Sequence, residues 1–209
     1  MPPADLRVCP VTDGESHRQF CDFPYDLYRS DPFWVPPLRS EERRRWSPWH
    51  NASLRRRWCR RFLARRGPAV VGRVAAVIDE EFARRWSAGA GFFGFFECAD
   101  DDAAARALLT AAEVALCAEG RARLIGPVNV TTHDEVGLLG VLPEATGAGI
   151  APLLAHHAAE AARRLGIRRA ELSLVHADNR RVRHVIEAFA GKGIKTYRLY
   201  EKAISSENP

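Results

Sequence analysis

Lysine is almost absent: Lys192, Lys195 and Lys202 are the three among 31 Lys+Arg, so arginine carries nearly all the positive charge. This reads as compositional bias before it reads as function. No stretch approaches the ~20 consecutive apolar residues of a membrane-spanning helix. The opening Met1-Pro2-Pro3-Ala4-Asp5 also lacks the charged-then-apolar pattern of a secretory signal. A cytoplasmic protein with no membrane partner is therefore expected. The five cysteines, Cys9, Cys21, Cys59, Cys98 and Cys117, are odd in number, with no C-x-x-C pair and no histidine at zinc-ligand spacing. Reduced structural thiols are expected, with neither a disulfide framework nor a metal.

What is present is a foldable chain. It has 209 residues, 46% hydrophobic and 27% charged, which fits one domain or two small ones around a packed core. The 31 basic against 26 acidic residues leave a formal charge of +5. Basic residues crowd between Arg39 and Arg66, interleaved with Trp46, Trp49 and Trp58. Arginines and aromatics together can grip a nucleic-acid backbone and stack on bases. Here Glu80, Glu81, Asp100, Asp101 and Asp102 nearly balance the charge, and no RNP, KH or zinc-finger pattern is present. The basic stretch is accordingly read as a solvated face, or a surface attracting a polyanionic cofactor, and nucleic acid is not expected as a partner.

Apolar periodicity predicts a strand over Leu6 to Val11, a helix over Glu15 to Tyr28, and a hairpin of Phe62 to Arg65 with Ala69 to Ile78 around Arg66-Gly67-Pro68. Gly91 to Glu97, GFFGFFE, reads as a strand too apolar to face water on either side. A helix over Asp100 to Glu119 follows, stopped by Gly120, and Leu124 to Pro127 returns as a strand. The pattern then recurs in outline. Gly140 to Pro143 is a short strand, and Gly149 to Leu165 is a helix with Ile150, Leu153, Leu154, His157, Ala158, Ala161 and Leu165 on one face. Gly166 closes it, and Ala170 to Val175 is the next strand. Asn179 starts a helix to Phe189, and Ile194 to Ala203 closes the chain as a strand. Alternating helices and strands with hairpins imply an α/β or α+β sheet with helices on its faces.

The most chemical feature is the turn Glu144-Ala145-Thr146-Gly147-Ala148-Gly149, between a predicted strand and a predicted helix. Glycines there let successive N–H groups point outward, and the helix start adds about half a positive charge, which makes an anion cradle. The string is neither a Walker loop nor a G-x-G-x-x-G dinucleotide loop. An ordinary helix start explains the glycines equally well. The equivalent place in the first repeat, Cys98-Ala99-Asp100-Asp101-Asp102, is acidic and would repel a phosphate, so an anionic cofactor should choose the second.

At these residues a resemblance arises. VLPEATGAGIAPLL from Val141, with Asn179 opening the next helix, resembles the acetyl-CoA-binding half of the GNAT N-acetyltransferase superfamily. DPFWVPPLRSEE, VGRVAAVID, GFFGFFE, GPVNVTTHDEVGLL and KTYRLYEK look like a bacterial subgroup of GNAT-like proteins built from two related lobes. The resemblance implies a mixed, mostly antiparallel twisted sheet with helices on both faces. It implies residues 1–139 as an N-terminal lobe without a phosphate loop and residues 140–209 as the acyl-CoA-binding half, sharing one composite sheet.

It also implies acetyl-CoA as co-substrate, no metal, and a small-molecule or peptide amine as acceptor. The pyrophosphate would sit on Thr146, Gly147, Ala148, Gly149, Ile150 and Ala151. Val141 and Leu142 would line the pantetheine arm, and Asn179 would contact CoA. Thr146 stands where the family has Gln or Arg, and Ala148 where a basic residue is common. Backbone amides survive both changes and side-chain support for the phosphates does not.

Transfer further needs a base, oxyanion stabilisation and an acid for the leaving thiolate. The family's tyrosine position falls near Ile186, which cannot donate a proton. Tyr197 or Tyr200 is the substitute, and Glu97, Glu135 and His133 are candidate bases. Two-lobed relatives are longer. Either the first lobe's strands complete one composite site, or the chain is a non-catalytic module that binds CoA or protein. A sheet edge bared by the missing strands predicts pairing as a homodimer.

Overall fold

The computed structural model describes residues 5–129, 149–166, 175, 177–191, 193 and 196–205. They fall into two units, Met1–Glu135 with Arg198–Pro209, and Val136–Tyr197.

The first unit is built on a six-stranded sheet in the order β1-β2-β3-β4-β5-β6. Strand β1 (Leu6–Pro10) is followed by α1 (Gly14–Leu27), α2 (Arg39–Arg45) and a 3-10 turn (Ala52–Arg56). Strands β2 (Arg57–Arg66) and β3 (Ala69–Asp79) form the expected hairpin, longer than the apolar run because Arg57 to Arg61 also pair. A short α3 (Glu80–Arg85) leads to β4 (Ala90–Cys98), then α4 (Asp102–Ala118), β5 (Arg123–Gly126) and, from the far end of the chain, β6 (Tyr200–Ala203). All neighbours are antiparallel except β4 and β5, which run parallel across the α4 crossover.

The sheet is covered on both faces because β3 alternates two apolar sets. Val74, Ala76 and Ile78 meet α4 through Ala104, Leu108, Ala112, Ala115 and Leu116. Burial of Leu108 and Leu116 stabilises this layer by about 1.5–3 kcal/mol each. Ala75 and Val77 meet Phe20 and Cys21 of α1 and Trp46 at the end of α2, with Phe92 and Phe95 of β4. Buried on both sides, β4 behaves as its GFFGFFE composition predicts.

The second unit contains α5 (Ile150–Arg164) and α6 (Arg180–Ala190), which contact each other. Three expectations need correction or fall outside. The closing strand is confined to Tyr200–Ala203, so residues 196–199 precede it rather than belong to it. The apolar face assigned to α5 is not buried: Leu153, Leu154 and Leu165 are exposed. Periodicity marks a face that can be buried and does not supply the partner. The strand expected over 140–143 lies outside the described residues, as does the one expected over 170–175 except for Val175, which is not in a strand. Helices α2 and α3 were not anticipated, being short and charged, with no apolar stripe to reveal them.

Between β4 and β5 the sheet parts. Only Ala90, Gly91 and Phe92 pair with Arg123, Leu124 and Ile125. Beyond them β4 bulges, with Phe95 at φ 49° and a register shift opposite Arg73 and Ala75. The chain after β5 crosses this point. Val128 N–H donates to the Phe93 carbonyl at 2.8 Å, and Asn129 Oδ1 accepts from Phe95 N–H at 2.6 Å. The crossing requires glycine at position 94, where a Cβ would lie 2.0 Å from the Val128 carbonyl oxygen. Gly94→Ala is expected to lower the melting temperature sharply by displacing the 126–129 segment, whereas Gly14→Ala, with nothing within 4 Å, is expected to leave it nearly unchanged.

Candidate active site

At the end of the sheet where β4 finishes, a buried ionic cluster joins three elements. Arg73 of β3 is 4% exposed and Glu42 of α2 is 2% exposed, the two buried charged residues among those described. Arg73 Nη1 donates to the Phe20 carbonyl at 2.6 Å and to Glu42 Oε1 at 3.2 Å, while its Nε donates to Glu97 Oε2. The guanidinium lies between the Phe20 and Phe95 rings, 4.9 and 5.8 Å from their centroids. Glu42 is completed by Arg45 at 3.0 Å. A buried charge survives only when paired in this way.

Glu97 is the member of the cluster at its edge. Burial raises its carboxyl pKa above the usual range, against the opposing pull of Arg73. Its Oε1 has no hydrogen-bond partner among the described residues. Tyr28, at the end of α1, lies close enough that the Glu97 charge, second to burial, pushes its hydroxyl pKa up. Tyr28 and Tyr25 both touch the Trp34 ring, at 5.5 and 5.3 Å between centroids. Glu97 was legible as a candidate base. Arg73, Glu42 and Tyr28 were not singled out, although an arginine inside the apolar run VGRVAAVID is the signal that could have found the first.

Helix starts decide where an anion could bind. The α4 start is closed: Asp101 Oδ1 accepts from Ala104 N–H at 3.0 Å, and Asp101 Oδ2 holds Arg66 at 2.6 Å. The Arg66 bond, then the helix N–H groups, pull the Asp101 carboxyl down to about 2. This bears out the expectation that acidic residues occupy that end. Because the folded pKa lies below the ordinary 3.8, the stabilisation is fully present above pH 3.8 and is lost as pH falls towards 2. Asp101→Ala is expected to lower the melting temperature at pH 7, with the difference from the native protein shrinking as a pH series descends through that window.

The α5 start is different. Gly149, at φ 74°, is its N-terminal cap, and among the described residues no side chain bonds to this helix start and no heavy atom beyond the adjoining residues lies within 4 Å of where a Gly149 Cβ would be. Ile150 and Ala151 supply the first backbone N–H groups, and Pro152 has none to supply. At α6, Asn179 Oδ1 accepts from Val182 N–H at 3.2 Å, so this side chain is already a helix cap. Tyr197 and Tyr200 are exposed. Val141, Leu142, Thr146, Gly147, Ala148, His133 and Glu135 lie outside the described residues.

Burial disfavours the thiolate form of two of the cysteines. All five are unpaired, and burial pushes Cys21 and Cys59 up to about 11. Among the described residues no group of three or more His, Cys, Asp or Glu side chains is placed to hold a metal, and no helix there is long and apolar enough to cross a membrane.

Residues 22–191 match the model of the Acetyltransferase (GNAT) family, and the chain belongs to it. Among individual proteins it is 36% identical, over 137 residues, to one described as a bacterial ceramide synthase from Caulobacter vibrioides (strain NA1000 / CB15N). It is 33% identical, over 125 residues, to protein YghO of Escherichia coli (strain K12). These matches take in 65% and 58% of the chain, but 36% and 31% of the two relatives, so the chain spans about a third of their length. Among solved structures it is similar to a tandem GNAT protein from the clavulanic acid biosynthesis pathway, with 19% identity, a TM-score of 0.42, and coverage of 58% of this chain and 36% of that one. An acetyltransferase of the GNAT family from Staphylococcus aureus Mu50 gives 10% identity and a TM-score of 0.42, covering 63% and 78%.

Proposed function

We propose that the protein is an acyl-CoA-dependent N-acyltransferase that moves an acetyl or longer acyl group to an amine. The observation that carries this reading is the contrast between the two helix starts. One is closed by Asp101 and Arg66, and the other begins at Gly149 with no side-chain cap among the described residues. Family membership supports a CoA thioester as the donor. In the reading, the N–H groups of Gly149, Ile150 and Ala151 receive the pyrophosphate of CoA, with Thr146, Gly147 and Ala148 completing the turn and Val141 and Leu142 beside the pantetheine arm.

Glu97 is proposed as the base. Its raised pKa and unpartnered Oε1 suit a carboxylate that takes a proton from an ammonium. The neutral amine then attacks the thioester carbonyl, the C–N bond forms, the C–S bond breaks, and the thiolate leaves to be protonated by a tyrosine or by water. Tyr197, being exposed, is the proposed donor from the chain. A ceramide is an amide of a fatty acid and a long-chain amino alcohol, so the description of the Caulobacter relative recommends long-chain amines as acceptors alongside short ones. The test is release of free thiol from acetyl-, octanoyl- and palmitoyl-CoA over a panel of polar and long-chain amines. Amine-dependent release with at least one donor is expected. Its absence from every combination would reject the assignment.

A further inference from the structure

We propose that the opposite end of the first unit's sheet, where β2 begins and β3 ends, is a docking surface for the anionic face of a phospholipid bilayer. Arg57 pairs in register with Asp79, so the segments before β2 and after β3 leave the sheet side by side. They frame an open cavity of about 580 Å³ whose lining includes Arg56, Arg57, Asp79, Arg84, Arg85 and Trp86. Trp86 is 78% exposed, and Trp49, beside the Pro48 carbonyl that Arg55 Nε reaches at 2.8 Å, is 85% exposed. Indole rings left in water at this cost in apolar exposure are the side chains that settle at a headgroup interface.

Charge at this end favours an anionic partner. Its carboxylates are already matched: Asp79 by Arg57 at 2.9 Å, Glu81 by Arg85 at 2.6 Å and Glu80 by Arg121 at 2.5 Å. Arg55, Arg56 and Arg84 form no ion pair among the described residues. A bilayer fits better than a nucleic acid, because Asp79, Glu80 and Glu81 sit within the same wall and would oppose phosphates tracked closely along a groove. A diffuse anionic surface needs only the protruding cations and rings. Docking at a bilayer surface of this kind needs no apolar run long enough to span it. The patch is also separate from the ionic cluster, since Ala90 and Glu97 are seven positions apart on β4, about 23 Å.

The experiment is co-sedimentation of the whole chain with vesicles of phosphatidylcholine alone and with phosphatidylglycerol added, at fixed ionic strength. Binding to the anionic vesicles and not to the neutral ones is expected, with a blue shift of tryptophan emission that Trp49→Ala/Trp86→Ala removes. Arg56→Glu/Arg84→Glu should weaken binding by at least about 25-fold, from roughly five-fold per arginine. Arg7→Glu/Arg106→Glu changes net charge equally at the other end and should leave binding unchanged. No binding, equal losses in both double variants, or tighter association with duplex DNA at the same salt would overturn the proposal. All four arginines are exposed, and thermal melts of the variants confirm that the fold is intact.

Discussion

Replacing Glu97 with Gln is expected to slow acyl transfer by about 10²–10⁴-fold, the usual worth of a positioned general base, while leaving the affinity for acyl-CoA in place. Glutamine keeps an oxygen for the Arg73 Nε but cannot take a proton from an ammonium. The pH profile sharpens the test. Burial raises the Glu97 pKa, so with Glu97 as the proposed base, kcat/KM of the native protein should rise with pH along an acid limb displaced above the ordinary carboxylate value of 4.5. That limb should vanish in Glu97→Gln. A variant with native kcat, or with the same acid limb, would remove Glu97 from the mechanism and return the base to His133 or Glu135.

Arg73→Met should cost about 3–5 kcal/mol of folding stability, because it takes the ion-pair partner from the buried Glu97 carboxylate and leaves Glu42 with Arg45 alone. Methionine fills much of the space between Phe20 and Phe95, so the loss reports charge rather than a cavity. The sign with pH is definite. Glu97 carries a carboxyl pKa raised above 4.5 by burial, and its protonation removes the penalty, so the deficit relative to the native protein should be largest at neutral pH and shrink as pH falls towards 4.5. Urea melts at pH 7 and pH 4 measure both values. An equal deficit at the two pH values would mean that packing, not electrostatics, holds this end of the sheet.

The two predictions rest on residues that the sequence exposed unequally. Glu97 could be read because it ends an apolar strand, where a carboxylate is conspicuous. The hairpin, α4 with its Asp101 and Gly120 boundaries, and the buried β4 could be read for the same reason: one-dimensional periodicity encodes which face is apolar. Arg73 could not be given its role that way. Its partners Glu42 and Phe20 are 31 and 53 positions away, and only the fold brings them together. The bulge at Phe95 is likewise set by Val128 and Asn129 from across the parting strands, which no local pattern announces.

The α5 stripe shows the converse. Leu153 and Leu165 have helical spacing and yet are exposed, because spacing alone does not say what covers a face. At Asn179 both readings, CoA contact and helix cap, were legible together. Its bond to Val182 N–H shows the cap, and the contact with CoA stays with the proposal.

The proposal turns on the open start of α5, and titration calorimetry with acetyl-CoA addresses it directly. Ala151→Glu is a better probe than a change at Gly149, whose φ of 74° strains any other residue. A glutamate in the first turn suits the helix and repels a diphosphate, so folding and binding separate. Saturable binding to the native chain, abolished in Ala151→Glu with an unchanged melting temperature, is the predicted result. No heat of binding to the native chain at millimolar acetyl-CoA, or undiminished affinity in the variant, would contradict it.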